Sequence, residues 1–137
     1  LGDVVLAMSA STDTAMNRHR FGGMDYAPTA SFDLLRRAAA LGAADARPPR
    51  IGPVLTSDTF HATRADWWQV WAEHGVLAAE METAALYTLA ARAGARALSI
   101  LTVSDHVVTG AHTTPAERER GFVRMVELAL ALATQEG

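Results

Sequence analysis

Val76-Leu77-Ala78-Ala79-Glu80-Met81-Glu82-Thr83-Ala84-Ala85 passes from a short apolar run through two carboxylates flanking a methionine, then straight into a helical pattern. The apolar run reads as a buried strand. A carboxylate at the end of such a strand is costly to desolvate unless something hydrogen-bonds to it. Two readings fit. Acidic residues in the first turn of a helix favour its macrodipole. Alternatively the acids form a sugar clamp: one carboxylate offers two acceptor oxygens at the spacing of a vicinal diol, and the Met81 thioether supplies an apolar floor under a ribose ring.

Downstream, the pattern predicts a helix from about Glu82 to Ala93 that Gly94 ends, and then the clearest strand of the chain, Ala97-Leu98-Ser99-Ile100-Leu101-Thr102-Val103. Strand, helix and strand with connections this short predict an α/β fold whose two strands run parallel through a right-handed crossover. Ligands in such sheets sit at the strands' carboxyl ends, which places Glu80, Met81 and Glu82 on the same rim as Ser104-Asp105-His106. Thr114-Pro115-Ala116-Glu117 joins an N-cap, a proline at the first helical position and a capping-box glutamate, so the last helix starts at Pro115. Phe122, Met125, Val126 and Ala129 follow at helical spacing as its expected buried stripe. Arg118 sits in the first turn, where the positive helix end disfavours a cation; pairing with an acid across a pocket, or an intrahelical partner, would account for it.

Upstream, Asp3-Val4-Val5-Leu6-Ala7-Met8 reads as a buried strand at the very start, which suggests the latter part of something longer. Ser11 to Pro28, with Asn17-Arg18-His19-Arg20 and Gly22-Gly23, reads as an excursion loop whose arginines are solvated or interfacial more readily than phosphate-binding. Ser31 is expected to cap a helix through Leu41, with Phe32, Leu35 and Ala39 on its packed face and Gly42 as a left-handed stop. Ile51 to Thr56 reads as a strand, in which Pro53 favours an edge or a bulge. Phe60, in the polar exit Ser57-Asp58-Thr59-Phe60-His61, suits either stacking on a flat heterocycle or anchoring the loop in the core. Trp67, Val70 and Trp71 share a face of a helix that stops at Gly75, a face suited to core or subunit contact.

Composition narrows the chemistry. Half of the 137 residues are hydrophobic, enough for one domain with a core. Net charge is −3 and no basic run occurs, so nothing marks a nucleic-acid footprint or a membrane-surface patch, and no apolar stretch approaches a membrane span. The absence of cysteine excludes disulfides, thiolate metal sites and a cysteine nucleophile, and fits a reducing compartment. All twelve basic residues are arginine, which excludes Schiff-base chemistry and a P-loop lysine. Ser104, Asp105 and His106 have the residue types of a hydrolase triad, but neighbours on an extended segment alternate sides and no Gly-x-Ser-x-Gly elbow exists. His106 and His112 lack the spacing of a helical metal pair.

The strand end Glu80-Met81-Glu82-Thr83-Ala84-Ala85, the strand ending Thr102-Val103-Ser104-Asp105-His106 and the run Thr113-Thr114-Pro115-Ala116-Glu117-Arg118 together resemble the bacterial hexameric purine nucleoside phosphorylases. The Asp3-Val4-Val5 strand, the Asn17-Arg18 and Arg20-Phe21 excursion and the Ser57-Asp58-Thr59-Phe60 loop are similar in order and spacing, so the likeness covers essentially the whole chain. Glu-Met-Glu alone is shared with uridine phosphorylases and with methylthioadenosine/S-adenosylhomocysteine nucleosidases; Ser-Asp-His with the Thr-Thr-Pro-Ala-Glu-Arg helix start is more specific.

The resemblance implies a three-layer α/β/α fold with a central mixed sheet, and residues 1–137 as a single domain, the C-terminal portion of that fold. It implies phosphorolysis of purine (deoxy)ribonucleosides in purine salvage, with inorganic phosphate as co-substrate and no cofactor or metal. A cytoplasmic homo-oligomer is implied as well, a hexamer built as a trimer of dimers. Glu82 would accept hydrogen bonds from the ribose hydroxyls, Met81 would pack under the sugar and Phe60 would stack on the purine. Glu80 would support this clamp and Ser104 would position the loop near the base. Asp105 would be the general acid: as the bond from C1′ to N9 breaks, the base leaves with negative charge, and a proton delivered at N7 lowers the barrier. An aspartate, of reference pKa about 3.9, must be kept protonated by its pocket or pass on a proton obtained elsewhere. Arg118 would assist by closing toward Asp105. The family's glycine-rich phosphate loop has no counterpart before Leu1, so the chain alone is expected to be poorly folded or inactive, with exposed strand edges. The rival expectations are a nucleosidase that uses water in place of phosphate, and a truncated, non-catalytic nucleoside binder.

Overall fold

A computed structural model describes residues 1–61 and 64–134. Its centre is a four-stranded mixed sheet in the order β3-β2-β1-β4, built from β1 (Val4–Thr12), β2 (Arg50–Thr56), β3 (Ala78–Glu80) and β4 (Ile100–Thr102). Five helices complete the described residues: α1 (Met16–Arg20), α2 (Phe32–Gly42), α3 (Gln69–Glu73), α4 (Thr83–Arg92) and α5 (Pro115–Thr134).

The layers follow from the period of two along β1. Val4 and Leu6 pack on one face with Ala38 of α2 and Leu128 and Leu132 of α5. Val5, Ala7 and Ala10 pack on the other with Val54 of β2 and Ala84 and Tyr87 of α4. Over Val4–Ala7 both faces of β1 are therefore dry, and fully burying each Val or Leu side chain contributes about 1.5–3 kcal/mol. Helices on each side of a central mixed sheet make the three-layer α/β/α arrangement that the sequence implied.

β1, β2 and β3 run parallel, but β4 lies antiparallel on the far edge of β1, pairing Thr102 with Val4 and Ile100 with Leu6. This corrects the expected parallel crossover. A strand–helix–strand pattern with short connections does not say which edge the second strand takes. Here β1 offered a free edge, and the alternation of β4 fills both layers at once, Leu98 and Ile100 toward α2 and α5, Leu101 and Val103 toward α4.

Local readings divide in the same way. The capping box forms: Glu117 N–H donates to Thr114 Oγ1 at 3.2 Å, and Glu117 Oε2 accepts from Thr114 N–H and Oγ1–H, each at 2.8 Å. Gly75 and Gly94 take positive φ where their helices end. Gly42 does not; it stays inside α2, where a Cβ would lie 2.5 Å from Pro49 Cγ, so its smallness serves close packing. Ser31 leaves α2 without a side-chain cap because its hydroxyl accepts the Ala97 amide at 3.0 Å. Leu35 and Ala39 face the core as expected, but Phe32 is exposed and Leu34 takes its place. On α5 the buried stripe is Met125, Leu128 and Leu132; Val126 and Ala129 point outward. Val70 is exposed too, whereas Trp71 is half-buried. Pro53 lies in an interior strand, not an edge, opposite a register shift between Ala7 and Ser9, which is the bulge reading.

Candidate functional site

The carboxyl ends of β1, β2 and β3 form one rim. Thr12 pairs with Thr56 and Thr56 with Glu80, and the Ser57 amide continues the ladder to the Glu80 carbonyl at 2.9 Å. Beyond Thr12 and Thr56 the chains are tied by Ser57 Oγ donating to Asp13 Oδ2 at 2.8 Å. The strand ends are fixed before any functional side chain is considered.

Glu80 answers the desolvation problem posed by its sequence. Its Oε1 accepts a hydrogen bond from Thr56 Oγ1. Its Oε2 accepts from Glu82 N–H at 2.9 Å, and from Thr83 N–H and Thr83 Oγ1–H at 2.7 Å each. The carboxylate thus sits over the open amides at the start of α4 and does the capping that the N-cap residue itself, Glu82, does not. The helix-terminal reading is realised by one acid, and the other is left open to solvent. Glu80 is the helix-terminal acid, and Glu82 is exposed, with no hydrogen bond or ion pair to its carboxylate among the described residues.

Met81, 42% exposed, lies between them, and Phe60, 79% exposed, follows Ser57 from the end of β2. Phe60 is therefore no core anchor; its ring meets only the edge of His61, at a centroid distance of 4.9 Å among the described rings. One rim presents an unengaged carboxylate, an exposed thioether and an exposed aromatic ring on a hydrogen-bonded frame. That set suits a ligand with a diol, an apolar sugar face and a flat ring.

The frame includes residues the sequence reading passed over. Thr56 and Thr83 are buried, and Thr83 Oγ1 lies 2.9 Å from Ser99 Oγ. The Ser99 amide donates to Tyr87 Oη at 2.9 Å, and Tyr87 O–H donates to the Ala7 carbonyl at 2.5 Å. Burial pushes the Tyr87 phenol above its ordinary pKa. The hydroxyl of Thr83, placed where a helix begins, was the available signal for this network.

Ser104, Asp105 and Arg118 gather in a second cluster. Ser104 Oγ donates to Asp105 Oδ2 at 2.5 Å, Asp105 bridges to His112, and Thr113 N–H and Oγ1–H both donate to the Ser104 carbonyl. Arg118 reaches the Thr113 carbonyl at 3.4 Å and forms no ion pair with Asp105 among the described residues. Because β4 is antiparallel, this cluster leaves the sheet beside Gly2, at the start of β1, while Glu80 lies level with Thr12 at its end. Ten residues, up to about 33 Å of extended chain, separate those rows. The shared rim expected for Glu80–Glu82 and Ser104–His106 is therefore not formed within this chain.

An open cleft of about 380 Å³ flanks β1, lined by Ser9, Ser11, Thr12, Arg18, Tyr26 and Trp71, and holds none of the expected site residues. Arg18 is engaged there by Asp25 at 3.0 Å. Among the described residues no group of His, Asp or Glu is placed to hold a metal. No helix among them is long and apolar enough to cross a membrane.

The profile of the phosphorylase superfamily matches residues 1–135. The chain is 58% identical over 133 residues to a protein of Alkaliphilus metalliredigens named purine nucleoside phosphorylase DeoD-type, covering 97% of this chain and 57% of that protein. Proteins of the same name from Geobacillus sp. strain WCH70 and Thermoanaerobacter sp. strain X514 are 56% and 55% identical, over 98% and 97% of this chain. The chain spans about 57% of the length of each of these relatives.

Proposed function

The chain belongs to the phosphorylase superfamily, and on that premise we propose that it works as a single domain in purine nucleoside phosphorolysis, holding the nucleoside while inorganic phosphate attacks C1′. The observation that carries this reading is the 58% identity, over 97% of the chain, to a protein named purine nucleoside phosphorylase. The exposed carboxylate, thioether and ring on one rim support it independently.

In this reading Glu82 accepts from the ribose hydroxyls, Met81 underlies the sugar and Phe60 stacks on the purine. Glu80 binds no substrate: its oxygens already take four hydrogen bonds from the chain, and its part is to hold the turn that presents Met81 and Glu82. Asp105 is the general acid that protonates the departing base, Ser104 orients its carboxylate and Arg118 moves toward it when substrate is bound. The two clusters meet in one pocket only when the loop after β4 swings across the rim or another copy of the chain presents it. Homo-oligomers of the kind the family resemblance implies provide for the second arrangement. Phosphate is a co-substrate, and the reading calls for no cofactor.

The deciding experiment is release of free base from inosine and adenosine by the purified chain, with and without phosphate, alongside Asp105→Asn. Phosphate-dependent release that the variant loses is the expected result. Release that ignores phosphate means a hydrolytic nucleosidase, and binding of nucleoside with no release under any condition means a non-catalytic binder.

A further inference from the structure

Asp105 sits at the foot of a small hairpin. Ser104 and Thr113 are joined across it, the His106 amide donates to the Ala111 carbonyl at 2.8 Å, and the Gly110 amide closes the turn on the His106 carbonyl at 2.9 Å. The apolar side chains of this turn are not buried: Val107 and Val108 are each 56% exposed. What fills its open side is the His106 ring: Nδ1 lies 3.3 Å from the amide nitrogens of both Val108 and Thr109. A backbone amide can only donate, so Nδ1 must be the acceptor. The ring is thereby fixed as the neutral tautomer with its proton on Nε2.

We propose that His106 is the positioning residue for Asp105: its neutral ring caps the 107–110 turn through Nδ1 and so holds the hairpin whose first strand carries the carboxylate. The proposal rests on the reading of Asp105 as the acid of base release. The other charged or titratable side chains of the hairpin and of the helix start it joins are Asp105, His112, Glu117 and Arg118. Among the described contacts none of them hydrogen-bonds to the His106 ring; Glu117 is committed to Thr114, and Arg118 to the Thr113 carbonyl.

The test is amide hydrogen exchange and imidazole ¹⁵N spectroscopy on the labelled full chain. In the parent protein the His106 nitrogens should show the Nε2-protonated tautomer. His106→Ala should speed exchange about fivefold or more at Val108 and Thr109, the size of effect that loss of a hydrogen bond produces. It should do the same at the ladder amides of residues 106 and 113. His106→Asn places a carbonyl oxygen where it can take the same two amides and should restore both sets to within about twofold. Faster exchange at Val108 and Thr109 alone would show a local cap that does not position Asp105, and unchanged exchange or the other tautomer would show no cap; each overturns the proposal. Asp105→Asn keeps the reading beneath it separate: intact base release in that variant defeats the acid role of Asp105, whatever the amides do.

Discussion

The two glutamates of the rim predict opposite phenotypes. Among the described residues the Glu82 carboxylate makes no hydrogen bond or ion pair, so Glu82→Ala should leave thermal stability within about 0.5 kcal/mol. If the clamp reading holds, kcat/KM for nucleoside should fall roughly 100-fold, the loss expected for charge-assisted hydrogen bonds to a diol. Glu80→Gln should do the reverse and destabilise first. Its amide oxygen can keep the Glu82 and Thr83 amides only by turning the NH2 onto Thr56 Oγ1, whose hydroxyl donates to the carboxylate, and the lost acceptor and lost charge cost about 1–3 kcal/mol, readable by denaturant unfolding. Tyr87→Phe should cost a similar 1–3 kcal/mol, since it strips the buried partner from the Ala7 carbonyl and the Ser99 amide.

Among the elements, α2 and α5 carry the sharpest expectations. Helix propensity favours alanine over glycine by about 1 kcal/mol, so Gly42→Ala looks stabilising from sequence. The structure reverses the sign. The added methyl would meet Pro49 at 2.5 Å, and overpacking of this kind costs about 1–3 kcal/mol, so a lower unfolding midpoint is the expected outcome. For α5, Thr114→Ala removes the hydroxyl that accepts the Glu117 amide and should cost about 1 kcal/mol. Faster amide exchange through the first turn, next to Arg118, should accompany that loss. The helix start was legible because a capping box is local: all its partners lie within four residues.

For the molecule as a whole, stability should be bounded at both ends of the pH scale. The Arg50 and Arg47 guanidinium groups hold the Asp3 carboxyl below its ordinary pKa, against a smaller opposing effect of burial. A lowered folded pKa means that the unfolded chain binds the proton first. This contribution is therefore complete above about pH 4 and fades as pH falls toward the depressed value. Tyr87 works in the other direction, since burial keeps its phenol protonated in the fold. Its contribution is complete below about pH 10 and is lost as pH rises past it. Unfolding curves of the parent, Asp3→Asn and Tyr87→Phe proteins across pH should separate the two arms. Val123, Val126 and Leu130 form an exposed apolar stripe on α5, and Leu86 and Leu89 another on α4. Sedimentation velocity should accordingly find an assembly larger than one chain; a monomer would leave the homo-oligomer reading without support.

The sequence by itself determined what depends on near neighbours: β1 as a buried strand, the start of α5, and the ends of α3 and α4 at Gly75 and Gly94. It also carried the family resemblance, because that too resides in short runs of residues. Only the tertiary structure decided that Gly42 is small for the sake of Pro49, that Glu80 rather than Glu82 caps α4, and that β4 runs antiparallel at the far edge of the sheet, away from the rim. Each of these rests on partners distant in sequence. Local pattern marks where a strand or helix lies and where it stops, but the face a helix buries, the edge a strand takes and the direction it runs follow from where the rest of the chain leaves apolar surface and backbone groups unpaired.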